Sequence, residues 1–178
     1  MKNVELKGVD EVTAIINEFL APFELTCELG LDFGYYPSDD LITYAFTYVD
    51  IDVDGFLASV ERLEPEVNAD IFLWSLLHEV GHHETIDEMT NKENRTCDKA
   101  KAKINKKVTK LNKRMAKGKK VKLSAMVKLE SYYDMLDERL ATEWAVNYAN
   151  THKEELARFW EKLGAAIRNF YELNEVEV

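Results

Sequence analysis

The chain has 178 residues, a length that suits one domain with a real hydrophobic core and leaves little room for a second folded unit. A hydrophobic fraction of 46% and a charged fraction of 31% are typical of a soluble globular protein. The net charge is −10, no apolar run is long enough to cross a bilayer, and the first residues, MKNVELKGVDEV, lack the apolar stretch of a secretory signal. We therefore expect one cytoplasmic, intracellular domain that does not interact with membranes.

The first third of the chain predicts one packing helix, two strands and a short helix. Val9 to Leu20 has apolar residues at helical spacing. Phe23 to Leu31 and Leu41 to Val49 are rich in β-branched and aromatic residues and are separated by turn-forming residues, which predicts two strands, either in a small sheet or as a hairpin with a long loop. A short helical pattern follows from Phe56 to Leu63.

Three alternating aspartates, Asp50, Asp52 and Asp54, precede Gly55 and raise the question of a calcium loop. Counted from Asp50, Gly55 and Glu61 fall at the glycine and glutamate positions of an EF-hand. The residues after Gly55 nevertheless have the spacing of a helix face, and a strand pattern precedes the loop. The sequence therefore favours a solvated strand-to-helix turn with a capping Asp over a calcium site.

The segment Ile71 to Glu88 carries His78, Glu79 and His82 in the order H-E-x-x-H. Residues four apart lie one above the other on a helix, so these two imidazoles can point at one metal ion. The Glu79 carboxylate is then close enough to hold and deprotonate a metal-bound water, as in zincin metallopeptidases. Mostly apolar or small neighbours predict a helix buried nearly all round, and the alternative is that the histidines are hydrogen-bonded core residues.

The segment Lys99 to Lys122 contains 12 of the 23 basic residues and none of the 33 acidic residues. We expect a loop from Met89 to Cys97 and then an amphipathic helix with a lysine-covered face, ending near Gly118. The acidic remainder argues against general nucleic-acid binding. The lysine face is either a solvated surface attracted to the acidic body, which the sequence favours, or a docking site for an acidic partner.

Two further helices are predicted in the C-terminal part of the chain. Ser124 can cap a helix from Ala125 to Ala149, and Thr151 with Glu154 resembles a capping box that opens a last helix through Leu173. The aromatic residues of the last helix are expected to form a packing face.

A catalytic zinc needs a third protein ligand besides the two histidines. No later histidine has metzincin spacing, so a glutamate from the helix Ala125 to Ala149 is the better choice, and that helix offers Glu130, Glu138 and Glu143. Glu138 shares a helix face with two alanines that would allow close packing, whereas Glu143 lies about one and a half turns away and faces elsewhere. His83, about 100° round the helix from His82, is expected to support the site or to lie at the surface.

At this point the chain resembles the gluzincin peptidases, and among them the ImmA/IrrE-like metallopeptidases of phages and mobile elements. Their H-E-x-x-H helix is followed by a glutamate helix of the type E-x-x-A-(D/N)-x-(F/W)-A, which Glu138, Ala141, Trp144 and Ala145 match. The resemblance places the third ligand at Glu138. Thr142 departs from the pattern, since the family usually has Asp or Asn there, and this weakens the expected hydrogen bond to a ligating histidine.

The resemblance implies a mainly α, α+β, zincin-like fold. This fold is a single domain over residues 1–178, in which a small N-terminal sheet or hairpin packs on the metal-binding helix and the glutamate helix. A C-terminal helix follows them, and a lysine-rich helical insertion spans about 97–122. It also implies a protease with Zn²⁺ held by His78, His82 and Glu138, and with Glu79 as the catalytic base for hydrolysis of a protein or peptide substrate.

Two features of the implied mechanism stay open in the sequence. The residue that stabilises the oxyanion is Tyr132, Tyr133, Tyr148 or His152, and the strand Leu41 to Val49 is a candidate edge for an extended peptide. The main alternative is a catalytically weak or inactive binding protein that keeps the zincin scaffold and docks an acidic partner through its lysine-rich helix. A structural zinc or a zinc-free core is the third interpretation.

Overall fold

The computed structural model describes residues 6–46, 50–118, 120 and 132–174. These residues form a mainly helical α+β fold with one small sheet, as the sequence predicts. The described elements, in chain order, are α1 (Val9–Leu20), β1 (Thr26–Leu29), β2 (Gly34–Tyr36), β3 (Leu41–Tyr44), α2 (Asp50–Glu61), α3 (Ile71–Thr85), α4 (Asn91–Met115), α5 (Leu136–Thr151) and α6 (Lys153–Leu173), with short 3₁₀ turns at Ala21–Phe23 and Ile86–Glu88.

The sheet has the strand order β1-β3-β2, with β3 in the middle. β1 runs parallel to β3, whereas β2 and β3 are antiparallel. The prediction of a hairpin between the first and second strand patterns is therefore wrong, because parallel strands cannot be joined as a hairpin. The hairpin is formed by β2 and β3, and β2 lies in a segment that was assigned to the turn.

The central position of β3 also corrects the prediction of a peptide-binding edge at Leu41 to Val49. Both sides of Leu41–Tyr44 are paired with neighbouring strands, so this strand has no free edge. Residues 47–49 lie outside the described part of the chain. β2, the partner of β3 in the hairpin, is an outer strand of the sheet and packs against α3.

The hydrophobic core lies between α1, the sheet, α3, α5 and α6. The apolar face of α1 is buried as the spacing predicts, and α1 packs on β1 and α6. Phe19 of α1 stacks on Phe159 of α6 with ring centroids 4.3 Å apart, and Phe46 stacks on Phe170 at 4.0 Å. Cys27 and Cys97 are both buried free thiols.

Helix α3 is the central helix and is buried on nearly all sides, as predicted. Asp70 caps its first turn by accepting a hydrogen bond from the Leu73 N–H at 3.1 Å. The helix packs along α5 and against β2 and β3. At the closest approach Gly81 faces Ala141, and a Cβ atom on Gly81 would lie 2.4 Å from the Ala141 carbonyl oxygen. The two helix backbones meet here because neither position carries a large side chain.

Helix α2 begins at Asp50 and runs without interruption to Glu61, earlier than the predicted start at Phe56. The calcium loop considered for Asp50 to Glu61 is therefore wrong, because an EF-hand loop is not a continuous helix. The strand-to-helix turn at these aspartates is wrong for the same reason. The next helix, α3, covers Ile71–Thr85 of the segment Ile71 to Glu88 that was predicted to bind the metal, and the rest of that segment, Ile86–Glu88, is a 3₁₀ turn.

The loop predicted from Met89 to Cys97 is wrong, because α4 already begins at Asn91. Thr90 and Glu93 form a capping box there: the Glu93 N–H bonds to the Thr90 hydroxyl at 3.3 Å, and the Thr90 N–H bonds to the Glu93 carboxylate at 2.9 Å. The helix ends at Met115, and Gly118 follows with a φ of 65°. A helix stop near Gly118 is confirmed.

The boundaries of the last two helices also differ from the predictions. The predicted helix Ala125 to Ala149 is described only from Leu136 onward, and residues 121–131, which include Ser124 and Glu130, lie outside the described chain. The capping box at Thr151 is wrong, because Thr151 is the last residue of α5 and its hydroxyl donates backwards to the Asn147 carbonyl at 2.9 Å. Within the described ranges, no helix has the length and apolar character needed to span a bilayer.

Replacing Gly81 with Ala should destabilise the fold by roughly 1–3 kcal/mol or more, because the new methyl group would collide with backbone atoms of α5 that cannot swing aside. Gly164→Ala is the matched control, since a Cβ there has its nearest contact at 3.6 Å, on the flexible Arg168 side chain. Urea unfolding of both variants measures the effect. Equal stability of the two variants would contradict the close packing of α3 on α5.

Candidate metal centre

The three side chains predicted as metal ligands come together in the structure. His78 and His82 lie one turn apart on α3, with ring centroids 4.6 Å apart, and Glu138 reaches them from the first turn of α5. His78 Nε2 is 3.1 Å from Glu138 Oε2, and His82 Nε2 is 3.7 Å from Glu138 Oε1. His78 and Glu138 are only 5% and 2% exposed. Helix α5 thus delivers a buried carboxylate to two imidazoles on α3.

The spacing of these atoms fits a metal ion. One ligand atom from each of the three residues lies within 4.8 Å of the others, the one such group found in the described ranges. Tetrahedral zinc with bonds of about 2.0–2.1 Å holds its ligand atoms roughly 3.3 Å apart, a value between the His78–Glu138 and His82–Glu138 distances of this structure. Two imidazoles and one carboxylate are also the donor set of catalytic zinc sites that keep a fourth position open.

Thr142 orients His78 from the opposite side of the ring. Its hydroxyl donates to the Glu138 carbonyl at 2.8 Å, and its oxygen is 3.2 Å from His78 Nδ1. Because the single hydroxyl hydrogen is used on the carbonyl, the oxygen accepts from Nδ1–H, which leaves Nε2 to face Glu138. Thr142 therefore supplies the contact that an Asp or Asn was expected to make at this position.

The electrostatic balance of the site keeps Glu138 ionised. Burial alone would raise the pKa of the Glu138 carboxyl, but contacts with His78 and His82 outweigh it and hold that pKa well below its usual value. For His82, burial lowers the pKa, whereas the carboxylates of Glu138 and Glu79 raise it, and the raising effect is larger. The site is thus a buried anion that demands a positive partner.

A cleft of about 740 Å³ opens onto these residues. Glu79 is half-buried and lines the cleft together with His78, His82 and Glu138. Gly34 and Tyr35 of β2 and several residues of α4 also line this cleft. The three candidate ligands and Glu79 therefore share one cleft.

The structure separates the four candidates for an oxyanion-stabilising residue into two places. Tyr132 and Tyr133 line the cleft, just ahead of α5. Tyr148 and His152 stack on each other with ring centroids 4.1 Å apart, and Tyr148 packs in an aromatic cluster with Phe19. Of the four candidates, Tyr132 and Tyr133 are therefore the two that lie in the same cleft as the candidate ligands.

His83 and Glu143 lie where the sequence places them. His83 Nδ1 is 2.9 Å from the Tyr35 hydroxyl, so this histidine joins α3 to β2 at the wall of the cleft. Glu143 is exposed, and its carboxylate lies 3.8 Å from Arg139 Nε on the same helix. The prediction that Glu143 faces away from the metal helix is confirmed.

The sequence prediction missed Lys101 of α4. Its ammonium group contacts the Glu138 carboxylate and lies 2.6 Å from Asp137 Oδ2, although it was counted among the solvent-facing lysines. The signal was present in the helical spacing, because Lys101 falls on the same stripe as Cys97 and Ile104. A cation on the apolar stripe of a helix indicates a buried anionic partner.

Comparison with known protein families, with characterised proteins and with solved structures finds no match to this chain. The resemblance to gluzincins and to ImmA/IrrE-like peptidases therefore rests on the two sequence motifs alone.

Replacing Thr142 with Val should weaken metal binding by roughly 10–100-fold, because the valine has the same shape but cannot hold His78 in the required orientation. Thr142→Ser is the control that keeps the hydroxyl. Competition with a chromophoric chelator, with zinc as the probe, measures the affinity. Unchanged affinity in Thr142→Val would show that the hydroxyl does not orient His78.

Proposed function

We propose that this protein is a zinc-dependent metallopeptidase of the gluzincin type, with a zincin-like arrangement of α3 and α5. The observation that carries the proposal is the meeting of His78, His82 and Glu138 in a buried group that shares a cleft with Glu79. A structural metal site would have no need for an acidic residue beside the ligands in an open cleft. The ImmA/IrrE-like resemblance supports the same function but does not identify a substrate.

In this proposal His78, His82 and Glu138 hold Zn²⁺, which when bound supplies Lewis acidity to a water molecule and to the scissile carbonyl. Glu79 accepts a proton from the attacking water and delivers it to the leaving amine. Thr142 keeps the His78 ring aligned through Nδ1. In the same proposal, Tyr132 or Tyr133 donates a hydrogen bond to the developing oxyanion, a role supported by their position in the cleft lining.

The substrate in this proposal is an extended peptide that lies between β2 and α4. β2 is an outer strand of the sheet, and Gly34 and Tyr35 line the cleft on the side of the metal centre. An extended segment beside such a strand gains main-chain hydrogen bonds that do not depend on its sequence. We therefore expect cleavage within an unfolded or extended segment of a protein substrate.

The second candidate function is a zincin-scaffold protein that binds an acidic partner through α4. From Lys99 onward, seven basic residues of α4 are exposed and make no ion pair with other described residues, whereas Lys101 pairs with Asp137 and Glu138. The seven are Lys99, Lys103, Lys106, Lys107, Lys110, Lys113 and Arg114. They are free to attract an acidic surface. Partner binding that weakens with salt and survives Glu79→Gln would favour this function.

The metal content of purified protein tests the ligand set. Wild type, dialysed against zinc and then against metal-free buffer, should retain about one zinc per chain, the content of a single catalytic site. Glu138→Ala should lose it, because two histidines alone remain, whereas Glu143→Ala, altered at an exposed residue of the same helix, should retain it. Elemental analysis gives the result, and zinc retained by Glu138→Ala would remove Glu138 from the ligand set.

Replacing Glu79 with Gln should leave zinc bound and lower peptide hydrolysis by roughly 10²–10⁴-fold, since the amide cannot accept the water proton. Glu84→Gln, at an exposed position on the same helix, is the matched control and should keep wild-type activity. Incubation of each variant with a denatured protein, followed by mass spectrometry of the peptides released, measures the hydrolytic activity of both variants. Full activity in Glu79→Gln would refute its role as base.

A further inference from the structure

Lys101 reaches from α4 to the candidate metal centre and pairs with its carboxylate, Glu138. Its ammonium contacts Glu138 Oε1 and Asp137 Oδ2, and it lies 5.3 Å from the centre of the Tyr132 ring. The Lys101 side chain is 23% exposed, whereas the lysines on the outer face of α4 are exposed. α4 is thus joined to the site by an ion pair at the base of the cleft.

The oxygen that Lys101 contacts is the one that faces His82. Glu138 Oε1 is 3.7 Å from His82 Nε2, and Oε2 is 3.1 Å from His78 Nε2. A metal ion held by both imidazoles and Glu138 needs at least part of this carboxylate, of which only 3% of the side chain is exposed. The ammonium group and the metal ion therefore draw on the same small, buried anion.

Two cations on one buried carboxylate repel each other in a medium where charges are poorly screened. Lys101 supplies the lysine cation beside the buried Glu138 carboxylate, which also contacts the two imidazoles and the Tyr132 side chain. A divalent ion that enters the site replaces this attraction with a stronger one and makes the nearby ammonium unfavourable. Metal entry and the Lys101–Glu138 ion pair are thus opposed.

We infer that Lys101 is a built-in competitor for the metal site: it occupies Glu138 in the metal-free protein and must withdraw from Glu138 when zinc binds. This inference rests on the proposed zinc site and adds a regulation to it. By linkage, whatever holds α4 against the cleft lowers zinc affinity, and zinc weakens the contact of α4 with the cleft by the same factor.

The first experiment measures zinc affinity of wild type, Lys101→Met and Lys103→Met by chelator competition, with thermal unfolding of each metal-free protein as a check of folding. Lys103 is an exposed lysine on the same helix, so its variant matches the loss of charge without touching Glu138. Lys101→Met should bind zinc roughly tenfold more tightly or better, and Lys103→Met should bind as wild type does.

The second experiment uses wild-type protein alone and remains decisive if Lys101→Met fails to fold. Amine-directed acetylation is followed by peptide mass spectrometry with and without zinc. Lys101 should be modified slowly in the metal-free protein and several-fold faster with zinc, relative to Lys103, because it leaves a carboxylate that is almost fully buried.

The outcomes separate the two proposals. Tighter zinc binding by Lys101→Met, or zinc-dependent labelling of Lys101, supports the competition. Equal or weaker binding by a folded Lys101→Met variant, or labelling that zinc does not change, overturns it and leaves the metallopeptidase proposal intact. Absence of zinc binding by wild type and by both variants overturns both.

Discussion

The close packing of α3 on α5 is the constraint on which the rest of the structure depends. Gly81 allows the backbone of Ala141 to approach to a distance that no side chain would permit, and this approach puts Glu138 beside the two histidines one turn away. Burial of that carboxylate then requires positive or hydrogen-bonding partners on every side. His78, His82, Lys101 and Tyr132 are among those partners, and they meet where α3 and α5 pack closely.

Much of the site was predictable because its signals are local. His78 and His82 are four residues apart on a helix, and that spacing alone puts both rings on one face. Glu138 could be selected over Glu143 because small residues share its helix face, and the structure places Glu138 in the core and Glu143 in solvent. The mainly helical α+β class followed from periodicity, and the bounds of α1 agree with its pattern.

The features that the sequence did not predict are of two kinds. Some depend on contacts between distant parts of the chain, and others have a local sequence signal that the polar or lysine-rich composition of the segment obscured. Parallel pairing of β1 with β3 is a tertiary choice that strand patterns do not contain. The polar segment before Cys97 was interpreted as a loop, although Thr90 and Glu93 carry the spacing of a capping box that starts α4. The dense lysine pattern predicts one solvated face and obscures Lys101, which falls on the apolar stripe of the helix and contacts Glu138.

The central claim is that α3 and α5 together hold a zinc ion. A crystal structure of the zinc-loaded protein, with anomalous diffraction recorded at the zinc absorption edge, tests it most directly. The account predicts one strong anomalous peak bonded to His78 Nε2, His82 Nε2 and the Glu138 carboxylate, in the cleft that Glu79 lines. A zinc peak bonded to other residues, or no peak at this group in fully loaded crystals, would contradict it.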